Sequence, residues 1–185
     1  MIPFRRKSNP YMLVTGMTSA KMGDHLLQIG CAHGGRLGAV ASKVGLSGRA
    51  VTFVPDEASA QRARAGAAQA GVLVEVDVAS LSQLPTDDGV FDIAIIDDAG
   101  GLLAAMRDED RVGLVREVFR VLKTGARVMV IGAAPREGLG AIFSRQPSGP
   151  PFDPQPSLEA GGFKFMRQLG EREGLRFTEG IKPRT

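Results

Sequence analysis

The sequence predicts an α/β fold: a doubly wound, mostly parallel sheet with helices on both faces and an antiparallel β-hairpin at its C-terminal end. Three observations predict it. An apolar stretch, Leu26 to Ile29, runs straight into a glycine-bearing turn that spans Gly30, Cys31, Ala32, His33, Gly34 and Gly35. Short, continuously apolar runs then alternate with helical patterns, as strands covered on both faces require. From Phe163 the pattern changes to a period of two, which suits a pair of strands.

Taken in order, the first strand and its glycine turn lead into a helix over Arg36 to Val44, where Leu37, Val40, Ala41 and Val44 recur at spacings of three and four. Gly45 and Gly48 end it. Ala50 to Val54 is a β-branched strand that closes at Pro55 and Asp56, and Asp56 to Ala70 is an alanine-rich helix carrying Arg62 and Arg64. A third strand, Val72 to Val76, ends at Asp77, and a fourth, Phe91 to Ile96, ends at Asp97 and Asp98. Helix Arg111 to Leu122 stops at the Lys123, Thr124, Gly125 turn, and Arg127 to Ile131 supplies a fifth strand. Gly138 to Phe143 reads as a short helix, and Gln146 to Pro156 as a proline-rich connection without regular structure, either a lid over the carboxyl edge or a disordered crossing. The final hairpin pairs Phe163 to Leu169 with Leu175 to Glu179 about a turn in Glu171 to Gly174; a helix over Phe165 to Glu173 is the competing reading.

Length and composition fit one domain over 1–185. Within it we distinguish an N-terminal segment (1–20), a ligand-binding core (21–135), a variable helix and loop (136–161) and the hairpin (162–183). Without an apolar run approaching ~20 residues nothing is expected to span a bilayer, and the basic start at Arg5, Arg6 and Lys7 lacks the apolar segment of a secretory signal, so a cytoplasmic protein is expected. The net charge of +3 comes from scattered arginines, not a basic stripe, so nucleic-acid binding is not indicated. Cys31 is the only cysteine, which excludes an intrachain disulfide, and Cys31, His25 and His33 show no metal-ligand spacing.

In an open parallel sheet the ligand sits beyond the carboxyl ends of the strands, where the strand order reverses. The glycine turn, Asp56, Asp77 and Asp97 all fall on that edge. Leu27 to Gly34 resembles the first motif of the class I S-adenosylmethionine-dependent methyltransferases, whose sheet is Rossmann-like. Leu114 to Val128 is similar to their helix, lysine-glycine turn and fifth strand, and Leu84 to Ala94 to their approach to the fourth strand. The hairpin matches the antiparallel final pair that separates this family from dehydrogenase-type folds.

The resemblance implies S-adenosyl-L-methionine as cofactor. The backbone of Gly30, Ala32 and Gly34 would lie against its methionine part, Asp56 or Pro55 would meet the ribose hydroxyls, Asp77 the adenine amino group, and the Val78 N–H the ring; Asp97 would border the methyl-transfer site. The chain departs from the family at Gln28, where an acid is usual, at Ala32, where a glycine is usual, and at Pro55, which has no N–H. Gln28 is still expected to accept a hydrogen bond from an ammonium or water, without the charge that roughly doubles such a bond. In a turn needing positive φ, the Ala32 methyl is expected to cost about 1 kcal/mol.

Methyl transfer asks for little chemistry beyond alignment, since the sulfonium methyl is already electrophilic. Where the acceptor must lose a proton, the candidate bases are Asp97, Asp98 and His33, with His25 and Tyr11 behind them. A small-molecule acceptor is expected, in a pocket that is open or completed by a second subunit or partner protein. Tyr11 to Met17 either packs over the cleft, with Met12, Met17 and Met22 as an adaptable lining, or merely covers the sheet edge. The alternative functions are a scaffold of this fold that has lost its cofactor and, less well supported by the glycine pattern, a nicotinamide-dependent oxidoreductase.

Overall fold

The structure is a computed structural model and describes residues 10–134 and 152–184. Their strands form one seven-stranded sheet in the order β3-β2-β1-β4-β5-β7-β6. The strands are β1 (His25–Ile29), β2 (Arg49–Val54), β3 (Glu75–Val78), β4 (Phe91–Asp98), β5 (Leu122–Ala133), β6 (Lys164–Arg172) and β7 (Leu175–Ile181). The first five pair in parallel, and β7 is antiparallel to both β5 and β6. The helices are α1 (Met12–Thr18), α2 (Gly34–Val44), α3 (Glu57–Ala70), α4 (Leu102–Ala105), α5 (Asp108–Val121) and α6 (Gln155–Ala160).

Strand alternation divides the core between two faces. Leu27, Ile29, Val51, Phe53, Ala94, Ile96, Val128 and Val130 meet Leu103 of α4, Leu114, Val115, Val118 and Val121 of α5 and Leu158 of α6 on one side. Leu26, Ile93, Ile95 and Met129 meet Val14 of α1 and Val40, Ala41 and Val44 of α2 on the other, with Val54 beside Ala60 and Ala63 of α3. Each fully buried valine, leucine, isoleucine, methionine or phenylalanine among them contributes roughly 1.5–3 kcal/mol.

Local chemistry sets the ends of the helices. The Asp56 carboxylate caps α3 by accepting from the Ser59 N–H at 2.7 Å, and Gly71, in the left-handed region, closes it through bonds to the Ala67 and Ala68 carbonyls. Helix α5 begins with Asp108, Glu109 and Asp110 and ends beside Lys182, whose Nζ donates to the Phe119 and Leu122 carbonyls at 2.7 Å.

Several expected boundaries move. Helix α2 starts at Gly34, not Arg36, with His33 in an extended conformation just before it. The third strand is Glu75–Val78, not Val72 to Val76: the Val72 N–H turns back to the Ala67 carbonyl, so pairing with β2 begins only at Glu75 opposite Val51. Lys123, Thr124 and Gly125 lie within β5 as an irregularity, where the pairing with β4 jumps from Phe91 and Leu122 to Ile93 and Arg127. The hairpin forms about Glu173 and Gly174, and the competing helix over Phe165 to Glu173 is absent. Part of the proline-rich connection is regular, since α6 starts at Gln155 with Pro156 in its first turn. The expected helix over 138–143 lies outside the described residues.

The methionines do not converge. Met12 is exposed, the Met17 methyl lies near Gly170 of β6, and Met22 is exposed beside Gly45 at the opposite edge of the sheet. No helix among the described residues is long and apolar enough to cross a membrane.

Candidate functional site

The strand order reverses between β1 and β4, and the pairing register aligns the carboxyl ends of the parallel strands there. Ile29 pairs with Phe53 and with Ile96, and Phe53 pairs with Asp77. One residue further along, this puts Gly30, Val54, Val78 and Asp97 on a common edge, with Asp56 just beyond. The residues expected from sequence at the cofactor site therefore share one rim. His25, at the start of β1, stands about 13 Å away at the other rim, taking four residues at roughly 3.3 Å each.

Gly30 has φ +73 and its N–H donates to the Phe53 carbonyl at 2.8 Å, which turns the chain out of β1. A side chain there would collide with Leu102 Cδ2 at 2.8 Å. The other glycines of the turn are likewise required by the protein's own packing. A Cβ on Gly34 would stand 2.2 Å from the Arg62 carbonyl oxygen, and one on Gly35 2.1 Å from the Tyr11 hydroxyl. The glycine pattern is thus explained by close approach of α3, Tyr11 and Leu102.

Ala32 is not strained. Among the described residues other than glycine, positive φ occurs only at Ser19, Phe165 and Glu173. Opposite the Ala32 methyl lies Gly100, where an added Cβ would come within 3.3 Å, so a missing side chain in the β4–α4 loop makes room for the one gained in the glycine turn. The expected strain at this departure is overturned by the backbone.

Gln28 is buried and spends its amide on the turn itself, with Nε2 donating to the Gly30 carbonyl at 3.0 Å. It acts as an internal brace. Cys31 is also buried, and its thiol is pushed up to about 11, first by burial and then by the nearby Asp97 carboxylate, which removes it from thiolate chemistry at neutral pH. The Cys31 carbonyl accepts from Arg62 Nε at 3.0 Å.

Asp97 and Asp98 point to opposite faces because side chains alternate along β4. On the α2 face, Asp97 accepts from the Ala32 N–H at 2.9 Å and from Arg36 Nη2 at 3.0 and 3.3 Å. On the α5 face, Asp98 accepts from the Leu103 N–H at 2.6 Å. Burial raises its carboxyl to about 6, opposed by that hydrogen bond and reinforced by the Asp97 charge. Neighbours in sequence, the two do not act on one atom.

The remaining expected residues are accessible. Asp77 is exposed at the end of β3, Val78 beside it is half-exposed, and Asp56 presents its exposed carboxylate at the N-terminus of α3. His33, exposed, is the residue before α2, and its ring meets that of Tyr11 at a centroid distance of 5.7 Å, tilted by 53°. Sequence reasoning missed Arg36 and Leu102. A cation in the first turn of a helix, against the helix dipole, was the available signal for Arg36. No group of His, Cys, Asp and Glu among the described residues could hold a metal ion.

A sheet in this order, with a reversed seventh strand and a glycine turn at the switch point, defines the class I S-adenosylmethionine-dependent methyltransferase fold. Residues 26–125 match the model of the methyltransferase domain family, and the chain belongs to that family. Two curated relatives come from Rauvolfia serpentina: norajmaline N-methyltransferase, 28% identical over 117 residues, and ajmaline N-methyltransferase, 24% identical over 113 residues. The matches take in 63% and 61% of this chain but only 38% and 37% of those proteins, so the chain spans under two-fifths of their length.

Among solved structures, a SAM-dependent methyltransferase from Aquifex aeolicus superposes with a TM-score of 0.72 at 19% identity, covering 94% of this chain and 89% of that one. The [4+2]-cyclase SpnF superposes with a TM-score of 0.68 at 20% identity, covering 95% of this chain and 80% of that one. At these identities the likeness concerns the fold.

Proposed function

We propose that the protein transfers a methyl group from S-adenosyl-L-methionine to a small-molecule acceptor, and that the acceptor atom is an amine nitrogen. The observation that carries the reading is the shared rim: the register sets Gly30 and Asp97 at the switch point, with Asp56 and Asp77 on the same edge. The amine class is suggested by the two N-methyltransferase relatives. When bound, the cofactor supplies an electrophilic methyl on sulfur, for which an aligned nucleophile is the main requirement.

The residues present fit such a ligand. Asp77 at the tip of β3 accepts from the adenine amino group, with the Val78 backbone against the ring, and the Asp56 carboxylate receives ribose hydroxyls while it caps α3. Gly30, Ala32 and Gly34 border the methionine part. A buried Arg36 Nε without any hydrogen-bond partner lies beside Asp97 and is suited to a ligand acceptor. On the acceptor side, the Tyr11 and His33 rings form one wall, and His33 takes the proton that a protonated amine must lose. With Asp97 engaged by Arg36 and Asp98 on the other face, His33 is the base this arrangement leaves accessible. The acceptor pocket is completed by parts beyond this rim, a second copy or a partner protein.

The test is transfer of an isotope-labelled methyl from S-adenosylmethionine to a panel of small amines, with Asp77→Ala as control. Labelled product from the unaltered protein, lost in the variant, supports the reading. A second reading, a scaffold without cofactor, is favoured by the internal brace at Gln28 and by the glycines that Leu102, Tyr11 and α3 already occupy.

A further inference from the structure

Building on the transfer reading above, we infer that Arg127, which grips the C-terminal end of α1, is the positioning residue for Tyr11, and so for the acceptor wall that Tyr11 forms with His33.

Helix α1 has little reason to hold its place alone. It is seven residues long, with Gly16 inside it and the β-branched Val14, Thr15 and Thr18 around that, a length and composition that do not sustain a helix in water. It runs from the carboxyl rim, where the Tyr11 ring meets that of His33 and the Tyr11 hydroxyl covers Gly35, back towards the amino half of the sheet. Val14 seats it on the sheet, but an apolar contact has no direction and does not fix the helix along its own axis. At about 1.5 Å per residue the helix moves as one short body, so what holds Thr18 and Ser19 sets where Tyr11 stands.

Arg127 holds that end. Its Nη2 donates to the Thr18 carbonyl at 2.9 Å and to the Ser19 carbonyl at 3.2 Å. This satisfies carbonyls that a helix end leaves open and places a cation where the dipole favours one, in a helix whose last turn carries no basic residue of its own. Ser19 has φ +50 there, in the left-handed region that favours glycine, a conformation kept only where its surroundings fix it.

The guanidinium is itself aimed. Arg127, Glu179 and Arg167 lie on the sheet face that carries α1, with Glu179 opposite Arg167 in the pairing of β7 with β6. The Glu179 side chain is only 4% exposed; its Oε2 faces Arg127 Nη1 at 3.9 Å, and its Oε1 accepts from Arg167 Nε at 2.9 Å and from Arg167 Nη2. Burying a carboxylate is costly, and an apolar group at 179 beside the buried Met129 and Phe177 would serve the fold as well. The charged trio adds direction, from the outermost strand through Glu179 and Arg127 to the end of α1.

Tyr11 is the only tyrosine of a chain without tryptophan, and it is half-buried, so acrylamide quenching of tyrosine fluorescence reads the placement of this one side chain. Quenching and circular dichroism are recorded on the full chain, unaltered and as three variants. The double variant Arg127→Met with Glu179→Gln leaves no buried carboxylate facing a lost cation, Arg127→Gln is too short to reach the helix end, and Arg127→Lys keeps a cation and a donor. The expected result is a quenching constant at least about twofold higher in the double variant at unchanged circular dichroism, with Arg127→Lys returning most of the way to the unaltered value. Arg127→Gln shows the same rise should the double variant not fold. An unchanged constant in a folded variant, or a rise of equal size in Arg127→Lys, overturns the inference. With an amine that the unaltered protein methylates, the double variant is expected to raise KM at least about fivefold, with kcat and the affinity for S-adenosylhomocysteine within about twofold. An unchanged KM overturns the link to the acceptor wall. If the unaltered protein methylates no amine, the transfer reading fails, and the quenching of Tyr11 alone decides the role of Arg127.

Discussion

Gly34 in α2 lies so close to Gly66 in α3 that a methyl built on Gly66 would stand 2.1 Å from the Gly34 carbonyl oxygen. Gly38 continues the contact one turn on, where an added Cβ would be 2.6 Å from the Gly66 carbonyl oxygen and 2.7 Å from the Ala70 methyl. The two helices cross backbone to backbone, and this crossing carries the glycine turn. Gly66→Ala is therefore expected to lower the stability of the protein by about 2–3 kcal/mol. Urea unfolding followed by circular dichroism measures it, and an unchanged midpoint would show that the helices separate without cost.

Asp98 makes stability depend on pH. Its carboxyl is raised from the ordinary 3.8 to about 6, so the folded chain holds this proton more tightly than the unfolded one. The contribution is fully present below the ordinary value and is lost as pH rises through about 6, the loss reaching at most roughly 3 kcal/mol by neutral pH. Asp98→Asn keeps an acceptor for the Leu103 N–H and removes the charge. Melting temperatures recorded from pH 4 to pH 7 are expected to fall for the unaltered protein relative to the variant; parallel curves would contradict this.

Gln28 braces the turn from inside. Replacing it with glutamate exchanges the Nε2 donor for a carboxylate facing the Gly30 carbonyl, which leaves that carbonyl without its partner. The loss is expected to be about 1–3 kcal/mol at neutral pH and smaller in acid, where a protonated carboxyl can donate again. Denaturation at the two pH values checks it. A Gln28→Glu protein as stable as its parent at neutral pH would show that the brace is dispensable.

Tyr11 separates acceptor binding from cofactor binding. Its ring faces His33 and its hydroxyl covers Gly35. Tyr11→Ala is expected to raise the acceptor KM by about tenfold while leaving the affinity for S-adenosylhomocysteine within about twofold. Steady-state kinetics beside calorimetry measures both, and a loss on the cofactor side alone would move Tyr11 to the other half of the site.

The sheet was legible in the sequence because a strand buried on both faces leaves a short apolar run, and β1, β2, β4 and the core of β5 each leave one. β3 was misplaced because Val72 and Val74 pack against the core from an irregular segment, whereas the paired residues Glu75 to Val78 sit at an exposed edge where nothing requires them to be apolar. At the rim, the positions of Asp56, Asp77 and Asp97 followed from where apolar runs ended. What could not be read was direction. That Asp97 and Asp98 face apart follows from the strand continuing through both, and that Ala32 sits without strain depends on Gly100, distant in sequence. Arg36 was hidden for the same reason, since its partner lies 61 residues away in sequence, on β4.

The central claim is that this rim holds an adenosyl cofactor. Equilibrium dialysis of the folded protein against labelled S-adenosylmethionine tests it most directly. The account predicts saturable retention at one molecule per chain, displaced by S-adenosylhomocysteine and weakened by Asp77→Ala. Protein whose circular dichroism shows the intact fold, yet which retains no label at any concentration, would contradict it.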